Sequence, residues 1–429
     1  MKALLALLSF LALATPALCA SITPAYTSVT TNQSIGTGGI TDIPGASISS
    51  GNFTAGEKYL IITGAHVAND SADGNINTRT THGTTDFTES IAVHESPSAG
   101  LRRGQYAFMD LWTAVSGEGI KMRYSRGPAG TNALADQIYL ISIPLAQLTD
   151  GSDYKYGENT TTTAVDTSWS GHASITFTPA NAGDTWLVIG MLRMIHGGAT
   201  TTSSMGRLAR SGEASSSTPD GRIEHASDTT HQTMVFSRCY TLGNASNTFT
   251  IEASESASSS HSHEWSAVFA LRLNAFDSWA CSYTDGNTAV GTGAFGSQLQ
   301  TATITPSATG DVWFGATFGF DVEAGTRLLT FRTQIDDADF PATQTSDAYT
   351  KRMARDDGDV APYMMQGITS LSNAAHTIDL DAHADSNGGG TLFSQAVHRT
   401  IWAVSMLLAS TPPAPSCNSS QFLLMGASC

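Results

Sequence analysis

Gly56-Glu57-Lys58-Tyr59-Leu60-Ile61-Ile62-Thr63-Gly64 decides how this chain is read, because it returns as Gly183-Asp184-Thr185-Trp186-Leu187-Val188-Ile189-Gly190 and again as Gly310-Asp311-Val312-Trp313-Phe314-Gly315. Each marker glycine follows the one before by 127 residues. Glycine, an acid, any residue, an aromatic and an apolar run describe a turn feeding a strand buried on both faces. Three such matches at one period describe a single module used three times.

The flanks keep step with the markers. A short Thr/Ser-rich strand comes ahead of each, at 46–49, 173–177 and 302–305. Downstream lie apolar runs at 106–112, 234–240 and 363–368, then Ile120-Lys121-Met122-Arg123-Tyr124, Phe249-Thr250-Ile251-Glu252-Ala253 and Ile378-Asp379-Leu380-Asp381-Ala382. The strict alternation of these last three is that of a strand with one face in a core and one in water. Closing strands at 138–145, 265–273 and 401–408 complete each module. The pattern predicts an all-β chain of three tandem antiparallel β-sandwich repeats of about 127 residues, jelly-roll or immunoglobulin-like, over 33–148, 149–276 and 277–410. The spacing of first and last strands leans to the jelly-roll. The Gly/Ser/Asp-rich excursions at 67–98, 197–233 and 321–361 read as long surface loops.

Lys2, the apolar run from Ala3 to Leu13 and the small residues around Cys19-Ala20 predict a secretory signal peptide over residues 1–20. An exported location follows, extracellular or at the cell surface. The formal charge of −16 opposes binding to nucleic acid or anionic membrane. Four cysteines remain beyond the leader. Cys417 and Cys429 are the natural local pair, which leaves Cys239 for Cys281. Thr411-Pro412-Pro413-Ala414-Pro415 is a stiff spacer, and residues 411–429 end in an apolar tail enclosed by those two cysteines.

No Gly-x-Ser-x-Gly elbow and no phosphate loop ending in Lys-Ser/Thr occurs, so the sequence reads as a chain without enzymatic activity or cofactor. His261 and His263 have a spacing that binds zinc if a third ligand converges. Asp379, Asp381 and Asp385, ahead of a Gly-rich turn, offer oxygen ligands for calcium, although same-face strand residues lie about 7 Å apart. Both sets read more simply as a solvated strand entrance and an exposed acidic face. Asp110, Asp321, Asp336, Asp337, Asp356 and Asp357 supply carboxylates for a glycosidase pair, a number that chance gives an acidic protein. Trp169, Trp279 and Tyr283 fall between modules, where they stack on sugars or seal junctions. Asn32, Asn52, Asn69, Asn159, Asn244 and Asn418 head Asn-x-Ser/Thr sites, glycan acceptors in a eukaryotic secretory pathway.

The modules differ in the charge of their alternating strands: Lys121, Arg123 and nearby Arg126 in the first, Glu252 and Glu255 in the second, and Asp379, Asp381 and Asp385 in the third. Complementary faces of this kind would order an association of copies. Both ends of the chain are surplus to the repeats. The arm at 21–32, with Ser21, Ile22, Tyr26 and Val29, has strand character, and the tail carries Phe422, Leu423 and Leu424. In this layout the chain resembles the secreted tandem β-sandwich subunits of extracellular fibres, including those joined by donor strands. The resemblance implies a structural subunit that partners with itself. A carbohydrate-binding adhesin that takes glycans on the long loops is the alternative, and a hydrolase on a β-scaffold comes third.

Overall fold

The computed structural model describes residues 20–31, 33–35, 39–69, 74–96, 103–126, 133–196, 202–213, 220–225, 231–257, 261–286, 288–290, 295, 297–322, 327–340, 350–354, 360–384 and 394–409. The leader and the tail, with Cys417, Cys429, Phe422, Leu423, Leu424 and Asn418, lie outside the described residues, as do Asn32, Asp356, Asp357 and Asp385. Every described element is a β-strand except three single-turn 3-10 helices.

Residues 25–144 build two sheets. One runs Ala25–Val29, Ala133–Pro144, Lys58–Asn69, Arg103–Thr113; the other runs Thr41–Ile48, Ile120–Arg126, Gly74–His82, Thr85–Asp86. All pairings are antiparallel. First strand beside last, and third between last and sixth, is the strand order of a jelly-roll, so the immunoglobulin-like alternative falls. The order returns over 154–272 and over 279–405. We call these stretches the first, second and third units, and in each the inner sheet is the one that contains the marker strand.

The double burial of the marker strand has a direct cause. In Thr185–His196, Trp186, Val188 and Leu192 pack into the second unit's own sandwich. Their alternates Leu187, Ile189 and Met191 point the other way, into an apolar centre shared with Trp265, Trp313, Met364 and Trp402. The three inner sheets are back-to-back around this centre, and each large side chain withdrawn from water there contributes about 1.5–3 kcal/mol. Gly56 and Gly183 start their strands at φ +84° and +92°, values that favour glycine. Gly310 begins its strand without a positive φ and sits against Leu407 instead.

Two expectations are corrected here. The arm is not spare, because Ala25–Val29 pairs along Ile138–Ser142 as the first strand of its own inner sheet. Its counterparts are Tyr154–Asn159 and Trp279–Thr284, so Trp279 and Tyr283 belong to a strand and not to a linker. The excursions hold the remaining outer-sheet strands, among them Gly74–His82, Thr202–Arg210 and Arg327–Ile335. In the first two, small and polar side chains conceal the alternation; Arg327–Ile335 carries Leu329, Phe331 and Ile335 on one face.

Each first strand leans on the unit before it. Tyr156 Oη lies 3.4 Å from the Met109 carbonyl and from Asp110 of the first unit. Cys281 is joined to Cys239 of the second unit by a disulfide. Tyr26 stacks with Phe340 of the third unit at 6.4 Å. Ile22 N donates to Met406 O (2.8 Å) and Leu408 N to Ala20 O (2.8 Å), which closes the three units into a ring.

Candidate functional site

The last strand of every inner sheet is interrupted at the same place. Its register slips at Gln137 in the first unit, at Glu264 in the second and at His398 in the third. Gln137 and His398 take left-handed φ values of 45° and 46°, uncommon outside glycine. A β-bulge re-aims a side chain, and these three aim at the contacts between units.

The His398 bulge lies in an open cleft of about 60 Å³ between the second and third units. Its Nδ1 is 2.8 Å from the exposed Asp285 carboxylate and 3.7 Å from Asp220. Asp220 also accepts a hydrogen bond from Leu208 N at 2.8 Å. Burial pushes the Asp220 carboxyl above the usual range, against the pull of His398. The opposite wall carries Arg207, Arg210, Glu213 and Arg238. The Arg238 guanidinium is held over the rings of Tyr283 (4.3 Å) and Tyr240 (5.1 Å), and burial raises the phenol pKa of both tyrosines. Its nearest acidic partner, Glu213, is 3.7 Å away, beyond hydrogen-bond length. Nothing in the sequence joins these groups, which come from four strands and two connecting segments. The one available signal was a polar residue, His398, inside an apolar closing strand.

At the junction of the first and second units, Glu264 binds Arg193 (2.8 Å) and His231 (2.6 Å), and Arg193 reaches over to the Glu89 carbonyl. Asp110 faces Tyr156 and Glu158 there, and burial, followed by the charge of Glu158, pushes its carboxyl up to about 6.

The other residues singled out in the sequence are distributed as follows. His261 is buried with its Nδ1 2.8 Å from Glu255, itself 2% exposed, so Glu255 is no part of a solvent face. His263 donates Nδ1–H to the Thr161 carbonyl (3.0 Å), has Ser266 Oγ at Nε2 (2.9 Å), and stacks on His172 at 3.9 Å. The two imidazoles therefore serve separate partners and share no ion-sized space. Among the described residues no group of three or more His, Cys, Asp or Glu gathers as metal ligands do.

The exposed acidic face is likewise corrected. Asp379 is 3% exposed and takes the Gln298 amide, and Asp381 takes two 3.1 Å bonds from Arg332. Glu252 is bound by Arg207. Lys121 (2.8 Å) and Arg123 (2.9 Å) share Asp42. Arg126 is half-buried at the end of its strand. Lys121 and Arg123, Glu252, and Asp381 thus each find the opposite charge within their own outer sheet, which weakens the ground for attraction between module faces. Asp336 is occupied by His376 at 2.6 Å in a third-unit hairpin, remote from Asp110 along every sheet. Trp169 lies under the Arg207 guanidinium at 4.2 Å. Of the sequons, Asn52 and Asn244 are exposed, Asn159 Oδ1 accepts from Thr161 N (2.9 Å), and the Asn69 side chain is outside the described set.

No family model and no curated protein matches this chain. Solved structures do. One is a peptide-N(4)-(N-acetyl-β-D-glucosaminyl) asparagine amidase, 14% identical over 59% of this chain and 98% of that one, with a TM-score of 0.28. Another is the triple jelly-roll protein of an archaeal virus turret assembly, 11% identical over 90% and 91%, TM-score 0.20. A third is a secreted protein of Parabacteroides distasonis, 11% identical over 60% and 90%, TM-score 0.17. Because an amidase is among these likenesses, the sequence expectation of a chain without enzymatic activity is withdrawn. No described helix is long and apolar enough to cross a membrane.

Proposed function

We propose that this chain is an exported structural subunit of an extracellular or cell-surface assembly, made of copies of itself. The observation that carries the reading is the fusion of three jelly-roll units around one apolar centre, closed by the first strand of the first unit. Such a block resists relative motion of its parts, because opening it exposes the shared centre. Strand donation is not part of this reading, since Ala25–Val29 is already paired at home. The outer-sheet edges Thr41–Ile48, Ser170–Phe177 and Ser297–Ile304 each contain a register shift, a device that discourages edge-to-edge addition of strands. Association then goes through faces and loops.

Electron microscopy and light scattering on residues 21–429, across a concentration series, test the reading. Regular multimers of fixed geometry are expected. A monomer at every concentration, in high and low salt alike, overturns it.

A further inference from the structure

We propose that the cleft between the second and third units binds a neutral saccharide, with Arg238, Asp285 and His398 as its hydrogen-bonding groups. This stands apart from the assembly reading and does not depend on it.

The argument begins with charge. Arg210 and Arg238 face Glu213, Asp220 and Asp285 in the same lining, with the His398 imidazole between the two aspartates, so both signs of charge are mixed there; Arg207, also in the lining, is paired with Glu252. An anion entering here meets carboxylates, and a cation meets guanidiniums. Juxtaposed like charges cost several kcal/mol in either case. What fits is an uncharged molecule that both donates and accepts at close intervals, as the hydroxyls of a sugar ring do. A peptide offers one donor and one acceptor per residue and is bound chiefly along open strand edges or in apolar pockets, and this lining, Leu208 and Ala209 apart, is made of charged side chains and Tyr283.

The second element is Arg238. Two tyrosine rings fix the plane of its guanidinium, and Glu213 at 3.7 Å is too far to take a hydrogen bond. Its N–H fork is thus pre-oriented and unspent on the described residues, so a ligand hydroxyl gains a charge-assisted bond at little ordering cost. Opposite, Asp285 and Asp220 share the His398 imidazole, which the bulge holds between them. The Asp285 oxygen not facing the imidazole accepts from a sugar hydroxyl, while the second Asp220 oxygen is already taken by Leu208 N.

Titration calorimetry on residues 21–429 tests the proposal, with maltohexaose, cellohexaose, xylohexaose and chitohexaose as neutral probes, a heparin hexasaccharide as the anion and spermine as the cation. At least one neutral probe is expected to bind saturably, with Kd below about 1 mM. Arg238→Met and Asp285→Asn should each weaken it about tenfold or more. Asp285 is exposed, so the second variant keeps the test valid if the first disturbs packing. No neutral binding up to about 10 mM overturns the proposal. So does neutral binding that both variants leave unchanged, or tighter binding of heparin or spermine that Asp285→Asn or Arg238→Met alters.

Discussion

The junction of the first and third units and that of the second and third are the same contact in the ring, built from opposite chemistry. In the former, Gln105 gives Nε2–H to the Met364 carbonyl and takes the Met364 N–H, both at 3.1 Å. Around this pair pack Tyr26, Phe340, His66 and Tyr363, and the bulge residue is the neutral Gln137. In the latter the bulge residue is His398, the surroundings are arginines and carboxylates, and a disulfide crosses between the units. A neutral contact holds by packing and a reciprocal amide pair, while a charged one has been given a covalent tie. A cleft that admits water, and with it a ligand, is a poor adhesive, and Cys239–Cys281 offsets that weakness.

The sharpest way to break the comparison is to remove the tie. Cys239→Ser with Cys281→Ser should cost about 2–5 kcal/mol, seen in calorimetric melts as a lower transition that reductant no longer affects. Gln105→Ala should come next, at about 1–3 kcal/mol, because it strands the buried amide and carbonyl of Met364. An equal loss for Arg238→Met, at the charged junction, would contradict the distinction.

Two pH effects of opposite sign should then appear, one within the second unit and one where the first unit meets it. Burial, and next the neighbouring His172, hold His263 down to about 4, so between that value and about 6.5 the unfolded chain binds a proton that the fold refuses. Stability should therefore fall as pH drops through this window, and His263→Gln should flatten the melting-temperature profile there. Asp110, held up to about 6, behaves oppositely: the fold keeps its proton after the unfolded chain has lost it, and stability falls as pH rises from about 3.8 to 6. Asp110→Asn should stabilise by about 1–2 kcal/mol at pH 7.5 and leave melts at pH 4 unchanged. Smallest of all, Lys121→Ala or Arg123→Ala should cost under about 1 kcal/mol and leave self-association unaltered by salt, because both are matched to Asp42 on a half-exposed sheet.

The strand class was legible because period-2 patterns and the marker runs are local, and each marker's double burial showed as an unbroken apolar run. Tyr154–Asn159 and Trp279–Thr284 escaped notice, and Ala25–Val29 was read as a strand without a home, because all three alternate weakly, being half-covered on both sides. Gly74–His82 and Thr202–Arg210, within the excursions, were missed because Thr, Ser, Gly and Arg fill positions where larger apolar side chains announce a core, whereas Arg327–Ile335 does alternate, through Leu329, Phe331 and Ile335, and was passed over. The charged strand faces misled for a different reason. Alternation reveals which face a residue is on, but not that Arg332, Gln298 or Asp42 stands beside it on the next strand. The cleft was invisible, since Asp220, Asp285 and His398 meet only once two units have docked.

The hydrogen bond from Leu408 to the carbonyl of Ala20 has a consequence for the order in which the units are written. Head and foot of the described chain meet at one corner, so a short peptide from Ala409 to Ala20 would make it endless. Cutting that loop between Leu145 and Asp153, where the first unit hands over to the second, should give a circular permutant that folds into the same block. Which unit the ribosome delivers first is then an accident of the gene rather than a requirement of the architecture.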